Sequence, residues 1–163
     1  MQARENTWPA TASERFRDGK DIAKFDDQRR TMGDMATFLH TMYRITDPAA
    51  SQAFYEALGF RLGRQMPIIR GGELAATNYF FSLGDVDDVL ELTFNHDGRS
   101  YELGTAYGHI AVGVADLDGT LARLASQGIT PEKPPYSVRE GGSRLCFVRD
   151  PDDYRVELIE RGA

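Results

Sequence analysis

Residues 40–47 read HTMYRITD and residues 109–116 read HIAVGVAD, and these two matching stretches decide the fold. Each stretch begins with a histidine, continues as a short run of strand-forming residues, and ends at an aspartate seven positions later. A glycine follows at the same distance in both halves, at Gly59 and at Gly128. The pattern predicts, in each half, a strand followed by a helix that begins after the aspartate and ends at the glycine.

Further strands are predicted after each helix, from apolar runs bounded by turn residues. The predicted strands are 38–45, 61–66, 77–83 and 87–95 in the first half and 110–114, 133–138, 144–149 and 154–160 in the second. The strands at 61–66 and 133–138 have the weakest patterns. Each half is therefore a predicted βαβββ module, over about 37–96 and about 107–161. The predicted fold class is α+β, in which paired modules form a curved mixed sheet around a common core.

Composition and charge exclude several classes of protein. The net charge of −6, without a cluster of basic residues, argues against a nucleic-acid partner. No apolar run is long enough to span a bilayer, and residues 1–30 have no secretory h-region. The single Cys146 forms no internal disulfide, which fits a reducing compartment. We therefore expect a cytoplasmic protein that contacts neither nucleic acid nor membrane.

Residues 1–36 differ from the rest of the chain. Basic and acidic side chains balance in this segment, and apolar residues are sparse. We predict a polar N-terminal extension, disordered or partly helical over 12–31, before a folded domain at 37–163. An alternative is that translation begins at Met32 or Met35.

Polar side chains recur on one face of the strands that begin and end each half, because residues two apart on a strand point the same way. They are His40, Arg44, Glu91 and Asn95 in the first half and His109 and Glu157 in the second. Any one of these has an ordinary structural or solvent-facing interpretation. Two histidines and two carboxylates at equivalent places favour a shared metal ion, since a buried carboxylate needs a partner.

Three neighbouring features complete this interpretation. Ala111 and Gly113 share the face of His109, and as small residues they are expected to leave room for a ligand. His96 has no counterpart in the second half, and we interpret it as a structural residue of a surface loop. Cys146 is expected to be a buried strand residue rather than a nucleophile.

Five separated motifs carry a resemblance to a known family. They are LHTMYR at 39–44, FYEALGF at 54–60, ELTFN at 91–95, YELGTAYGHI at 101–110 and DPDDYRVELIE at 150–160. In this order, over about residues 38–161, the chain resembles the bacterial glyoxalase I (lactoylglutathione lyase) family of the vicinal oxygen chelate superfamily. The resemblance implies paired βαβββ modules and a homodimer whose active sites are each assembled from both subunits.

The resemblance also implies a metal site. The ligands that it implies are His40, Glu91, His109 and Glu157. The short segment between Phe80 and His109 resembles the nickel- or cobalt-activated members of the family, whereas zinc-type members have a longer one. Coordination chemistry by itself permits zinc, nickel, cobalt or manganese at a site of two histidines and two glutamates.

The implied reaction is the isomerisation of the methylglyoxal–glutathione hemithioacetal to S-lactoylglutathione through an enediolate. A carboxylate beside the metal moves the proton, with Glu157 as first choice and Glu91 as the other candidate. Arg44, assisted by Asn95, is expected to bind the γ-glutamyl carboxylate of glutathione. Arg139, in the glycine-rich segment 137–143, is expected to bind the glycine carboxylate of the thiol as part of a lid.

Other functions of the same scaffold remain open. They are reactions with a different thiol, epimerase or dioxygenase chemistry, and non-catalytic binding of a small molecule or drug. Retention of all four ligand positions disfavours the binding protein. Two departures from the family pattern are the extension at 1–36 and Asp153, which occupies the usual glycine position of the 150–153 turn. Aspartate tolerates turn backbone angles.

Overall fold

A computed structural model describes residues 36–162 of the chain. Apart from Ala36, the predicted polar extension and the alternative starts at Met32 and Met35 lie outside the described residues. The first half contains β1 Thr41–Ile45, α1 Pro48–Ala57, β2 Arg61–Arg70, β3 Glu73–Leu83 and β4 Val86–Asn95. The second half contains β5 Ile110–Val114, α2 Leu117–Ala125, β6 Tyr136–Ser137, β7 Arg144–Arg149 and β8 Arg155–Glu160.

Each half forms its own four-stranded mixed sheet. The strand orders are β1-β4-β3-β2 and β5-β8-β7-β6. In both sheets the first strand pairs in parallel with the last, and the other pairs are antiparallel. A helix follows the first strand of each half and begins the crossover that this parallel pairing requires. The predicted α+β fold of paired βαβββ modules is confirmed.

The helices begin and end where the local sequence predicts. The carboxylate of Asp47 accepts hydrogen bonds from the backbone N–H groups of Ala49 and Ala50, at 2.9 and 3.0 Å. In α2 the carboxylate of Asp116 accepts from the N–H of Gly119 at 2.9 Å. Gly59 follows α1 with a φ of +97°, a conformation that favours glycine. Local capping chemistry therefore determines both helix positions.

The strands show three differences from the sequence prediction. The β2–β3 hairpin is longer than expected, because Gly71 and Gly72 make the tight turn at positive φ and the strands pair up to Arg70 and Glu73. Strand β2 is largely exposed, so the alternation of apolar residues that identifies a half-buried strand is weak there. Strand β6 is reduced to two residues, and β1 begins at Thr41 rather than at 38.

A single hydrophobic core draws residues from both halves. Its most deeply buried side chains include Phe54 and Tyr55 of α1 and Leu117 and Leu124 of α2. Cys146 is fully buried on β7, as predicted. The helices thus fill one side of the sheets and leave the other side for the polar residues.

Within residues 36–162, neither helix is both long enough and apolar enough to cross a membrane.

The turn at 150–153 fastens the second half to the first. The hydroxyl of Tyr55 donates to the buried carboxylate of Asp150 at 2.9 Å. The hydroxyl of Thr46 donates to Asp152 at 2.6 Å, and its backbone N–H donates to the same carboxylate. These charge-assisted bonds join β1 and α1 to the loop before β8. Asp153 adopts a φ of +72° in this turn, so aspartate does take the conformation usually left to glycine.

Burial raises the pKa of Asp150 to about 6, against about 3.9 for an exposed aspartate. The folded chain therefore holds more protons on this group between about pH 4 and pH 6 than the unfolded chain does. Its contribution to the free energy of unfolding must fall as pH rises through that window. We expect the native protein to lose stability relative to Asp150→Asn between pH 4 and pH 7. Urea unfolding of both proteins at several pH values measures this, and a difference that stays constant or grows would contradict it.

Candidate active site

The first histidine–carboxylate pair lies where β1 begins beside the middle of β4. His40 immediately precedes β1, and Met42 of β1 is in register with Glu91 of β4. The Nε2 atom of His40 lies 2.9 Å from Oε2 of Glu91. The His40 ring also meets the ring of Phe80 edge-on, at 5.9 Å between centroids. Glu91 is 9% exposed, so this carboxylate is largely removed from water.

The second pair repeats this arrangement in the other half. His109 immediately precedes β5, and its Nε2 lies 3.2 Å from Oε2 of Glu157 on β8. The His109 ring meets Phe147 edge-on at 5.2 Å. Phe147 is in register with Glu157, just as Phe80 is with Glu91 in the first half. Each half therefore presents one imidazole nitrogen and one carboxylate oxygen from the same positions of the same motif.

The two pairs do not meet within one chain. Among residues 36–162, no three or more histidine, cysteine, aspartate or glutamate side chains come together as a metal site would require. Imidazole nitrogen and carboxylate oxygen are suitable donors for nickel, cobalt, zinc or manganese. The donor set fits such a divalent ion, but each half supplies only two of the four donors.

A cavity of about 340 Å³ lies further along the same face of the first sheet. It brings Arg44 and Asn95 together, as the sequence predicted, and it also includes His96. The Nδ2 of Asn95 donates to the hydroxyl of Tyr101 at 2.6 Å. The other charged lining residues are Arg70, Glu73, Asp97 and Arg99. Three arginines against two carboxylates give the cavity a positive balance, which favours an anionic group.

Residues 37–158 match the sequence model of the Glyoxalase/Bleomycin resistance protein/Dioxygenase superfamily. The chain belongs to this superfamily.

Curated relatives within the superfamily carry a consistent name. A lactoylglutathione lyase of Arabidopsis thaliana is 36% identical over 132 residues, covering 79% of this chain and 46% of the plant protein. The lactoylglutathione lyase of Neisseria meningitidis serogroup A is 39% identical over 126 residues, covering 76% of this chain and 89% of the relative. The chain thus spans about half the length of the plant relatives it matches and most of the bacterial ones.

Solved structures of the superfamily agree with the fold. Glyoxalase I from Zea mays superposes with a TM-score of 0.69 at 31% identity, over 77% of this chain and 45% of the maize chain. The trypanothione-dependent glyoxalase I of Leishmania major superposes with a TM-score of 0.62 at 36% identity, over 77% of this chain and 87% of the neighbour.

The structure contradicts one sequence-based expectation, at Gly113, and adds to another, at His96. Gly113 was expected to leave room for a ligand, but a methyl group added there would lie 3.2 Å from Cγ of Arg161. The alkyl chain of Arg161 already packs over this glycine, so the expectation is wrong at this position. His96 is exposed as predicted, yet it also lines the cavity beside Asn95, and its Nε2 lies 2.9 Å from the hydroxyl of Thr77.

Arg139 lies apart from the cavity residues, in the exposed turn between β6 and β7. Its carbonyl accepts from the N–H of Gly142 at 3.0 Å, and the hydroxyl of Ser137 donates to the carbonyl of Gly142 at 3.2 Å. The turn is therefore a closed local structure on the second half. Its proposed role as a lid over the thiol stays a prediction.

Sequence reasoning missed one residue that directly contacts Glu91, a candidate metal ligand. Asn78 of β3 donates from Nδ2 to Oε1 of Glu91 at 2.6 Å. Thr93 lies on the same face and its hydroxyl is 3.2 Å from the same oxygen. Because side chains alternate along a strand, Asn78 and Phe80 share one face of β3, and this alternation is the sequence signal that could have identified Asn78.

Proposed function

We propose that this protein is a lactoylglutathione lyase, which isomerises the methylglyoxal–glutathione hemithioacetal to S-lactoylglutathione and so removes a reactive 2-oxoaldehyde. The observation that carries the proposal is the presence of an intact histidine–carboxylate pair at the equivalent place in both halves. Curated relatives with this activity in their names, at 36–39% identity, support it.

We propose that the active protein is a homodimer. The two pairs lie apart in one chain, so four donors converge only if the first half of one subunit faces the second half of its partner. A two-fold axis would then produce two such composite sites per dimer. In each site His40 and Glu91 of one subunit would hold the metal together with the partner's His109 and the partner's Glu157.

When bound, a divalent metal would stabilise negative charge on the two adjacent oxygens of the hemithioacetal. Nickel or cobalt is our first proposal for the ion, with zinc as the alternative. The task of the chain is to move one proton from C1 of the substrate to C2. Glu157 takes the proton from C1 and returns it at C2, while the C1 oxygen gives up its hydroxyl proton and the C2 oxygen takes one up, so the carboxylate ends the cycle as it began.

The cavity at Arg44 supplies the second point of attachment for the thiol. Asn95 lies four residues beyond Glu91 on β4, which is about 13 Å along a strand. An extended tripeptide reaches on the order of 10 Å, and its side chains add to that. A glutathione adduct can therefore place its reacting carbons at the carboxylates and its γ-glutamyl carboxylate at Arg44.

Arg44→Ala is expected to raise the KM for the glutathione hemithioacetal by about tenfold or more and to leave kcat within a few-fold. The guanidinium contacts a remote part of the substrate whose charge does not change in the reaction, so its loss weakens substrate and transition state alike. Arg61→Ala is the matched control, because Arg61 contacts the carbonyl of Gly84 at the far end of the first sheet. Steady-state kinetics of both variants check this; an unchanged KM for Arg44→Ala would point to another thiol.

The experiment that tests the proposed function follows thioester formation by apo-protein reloaded separately with Ni²⁺, Co²⁺ or Zn²⁺. Turnover of the methylglyoxal–glutathione hemithioacetal, highest with Ni²⁺ or Co²⁺, is the expected result. Metal binding without turnover would overturn the proposed reaction and leave epimerase or dioxygenase chemistry on the same site. Absence of both metal binding and turnover would favour a non-catalytic binding protein.

A different thiol cosubstrate is the second candidate. The Leishmania major neighbour is described as trypanothione-dependent. The test compares kcat/KM for the trypanothione hemithioacetal with kcat/KM for the glutathione hemithioacetal. A higher value for the trypanothione adduct would make trypanothione, rather than glutathione, the proposed cosubstrate.

A further inference from the structure

The two candidate carboxylates sit in different surroundings. In the first half both oxygens of Glu91 are engaged: Oε2 faces His40 at 2.9 Å, and Oε1 accepts from Nδ2 of Asn78 at 2.6 Å. The hydroxyl of Thr93 lies 3.2 Å from Oε1 and also 3.2 Å from Oδ1 of Asn78. Glu91, Asn78 and Thr93 thus form one connected polar group on the open face of the first sheet.

The strand registers identify the equivalent positions in the second half. Asn78 pairs with Thr93 two residues away from the Phe80–Glu91 pair along both strands. In the second sheet the same step from the Phe147–Glu157 pair reaches Leu145 and Ile159, which pair with each other. The polar Asn78–Thr93 pair of the first half is therefore replaced by two hydrocarbon side chains.

Glu157 consequently lacks the support that Glu91 has. Among residues 36–162, the side chain within ion-pair distance of the Glu157 carboxylate is His109, at 3.2 Å from Oε2. Arg155, two residues earlier on β8, is bonded instead to both oxygens of Glu132, at 2.9 and 2.7 Å. Leu145 and Ile159 offer no hydrogen-bond donor, so nothing on these neighbouring positions fixes the second carboxylate oxygen.

We propose that Asn78 and Thr93 are positioning residues that hold Glu91 as a fixed metal ligand, while the apolar Leu145 and Ile159 leave Glu157 free to move and to carry the proton. The proposal rests on the proposed function and explains how two near-symmetric halves take different tasks. Groups behind a metal ligand fix its orientation and typically change metal affinity by about ten- to a hundredfold. A carboxylate that must approach a carbon-bound proton instead needs freedom to rotate.

The first part of the test measures metal affinity, which requires no turnover. Ni²⁺ dissociation constants of the native dimer, Asn78→Leu and Asn78→Ser are determined by competition with a chromophoric chelator. Asn78→Leu installs the residue of the second half and is expected to weaken Ni²⁺ binding by about tenfold or more. Asn78→Ser keeps a hydrogen-bond donor on a shorter side chain, and its Ni²⁺ affinity is expected to lie between those of Asn78→Leu and the native protein.

The second part gives Glu157 the support that it lacks. Leu145→Asn places a donor at the position equivalent to Asn78, and Ile159→Thr places one at the position equivalent to Thr93. Neither variant is expected to weaken Ni²⁺ binding by more than about threefold, because no ligand loses a partner. At saturating Ni²⁺ both are expected to lower kcat by about tenfold with a smaller change in KM, because the proton carrier becomes fixed.

The outcomes separate the proposal from its alternatives. Thermal unfolding of each apo-protein shows whether a variant has folded, and Asn78→Ser and Ile159→Thr serve where the larger change prevents folding. Equal Ni²⁺ dissociation constants for the native protein and the folded Asn78 variants would overturn the proposal. So would an equal loss of affinity in the Asn78 and Leu145 variants, since a merely structural role predicts no difference between halves. If the native protein binds Ni²⁺ but turns over no hemithioacetal, the proposed reaction fails while the affinity comparison still decides the role of Asn78.

Discussion

Glu157→Gln is expected to lower kcat for the hemithioacetal by about a thousandfold and to leave the fold intact. The amide keeps the shape of the carboxylate but cannot accept the proton from C1, and a positioned general base typically contributes about 10²- to 10⁴-fold. The side chain of Glu157 is 15% exposed, and its ion-pair contact is with His109 at the edge of the sheet, so the core does not depend on it. The measurement is kcat at saturating metal, together with thermal unfolding.

A matched control separates loss of the base from loss of a surface charge. Glu56→Gln makes the same chemical change on the exposed side of α1, where the carboxylate accepts from the side chain of Gln52 at 2.8 Å. It is expected to keep native turnover. Turnover within about tenfold of native by Glu157→Gln, with metal still bound, would remove Glu157 from the role of base.

Mixed dimers are expected to regain activity that neither parent has. One parent carries His40→Ala with Glu91→Gln, and the other carries His109→Ala with Glu157→Gln. Each parent lacks two of the four metal donors in every site and is expected to be inactive. If each site combines the first half of one subunit with the second half of the other, a mixed dimer contains one intact site and one site without any donors.

The activity expected of the mixed dimers can be calculated. Random exchange of equal amounts makes about half of the dimers mixed, and each has one of its two sites intact, so the mixture should reach about a quarter of native turnover. Co-expression with two affinity tags isolates the mixed species, which should show about half of native turnover per dimer. Persistent inactivity of isolated mixed dimers that bind no metal would contradict a site shared between subunits. Activity of either parent alone would contradict the set of four donors.

The features that sequence predicts well are those encoded by neighbouring residues. Asp47 and Asp116 cap their helices because a carboxylate three or fewer residues away can reach the free N–H groups of the first turn. Gly59 and Gly128 adopt positive φ after the helices, where a side chain would be strained. The same local logic marks the turns around Gly84 and Asp153.

Strand extent and register are less accessible to sequence. The β2–β3 hairpin is longer than its apolar pattern indicates, because pairing across the Gly71–Gly72 turn continues through residues that face water on both sides. An irregularity between Phe81 and Leu83 shifts the β3–β4 register, so counting from the turn does not give the true partner of Glu91. Counting from the turn would pair Asn78 with Glu91, whereas in the shifted register Asn78 pairs with Thr93 and reaches Glu91 diagonally.

The sequence by itself determined the order of the elements, the helix ends and the face on which His40, Glu91, His109 and Glu157 lie, since capping and the two-residue period of a strand are local properties. Only the tertiary structure decided that the four side chains form two separate pairs within residues 36–162, that Arg161 covers Gly113, and that Asn78 bonds to Glu91 whereas Leu145 occupies the equivalent position beside Glu157. These are contacts between residues distant in the chain, and they depend on how strands pair across a sheet rather than on what each strand contains.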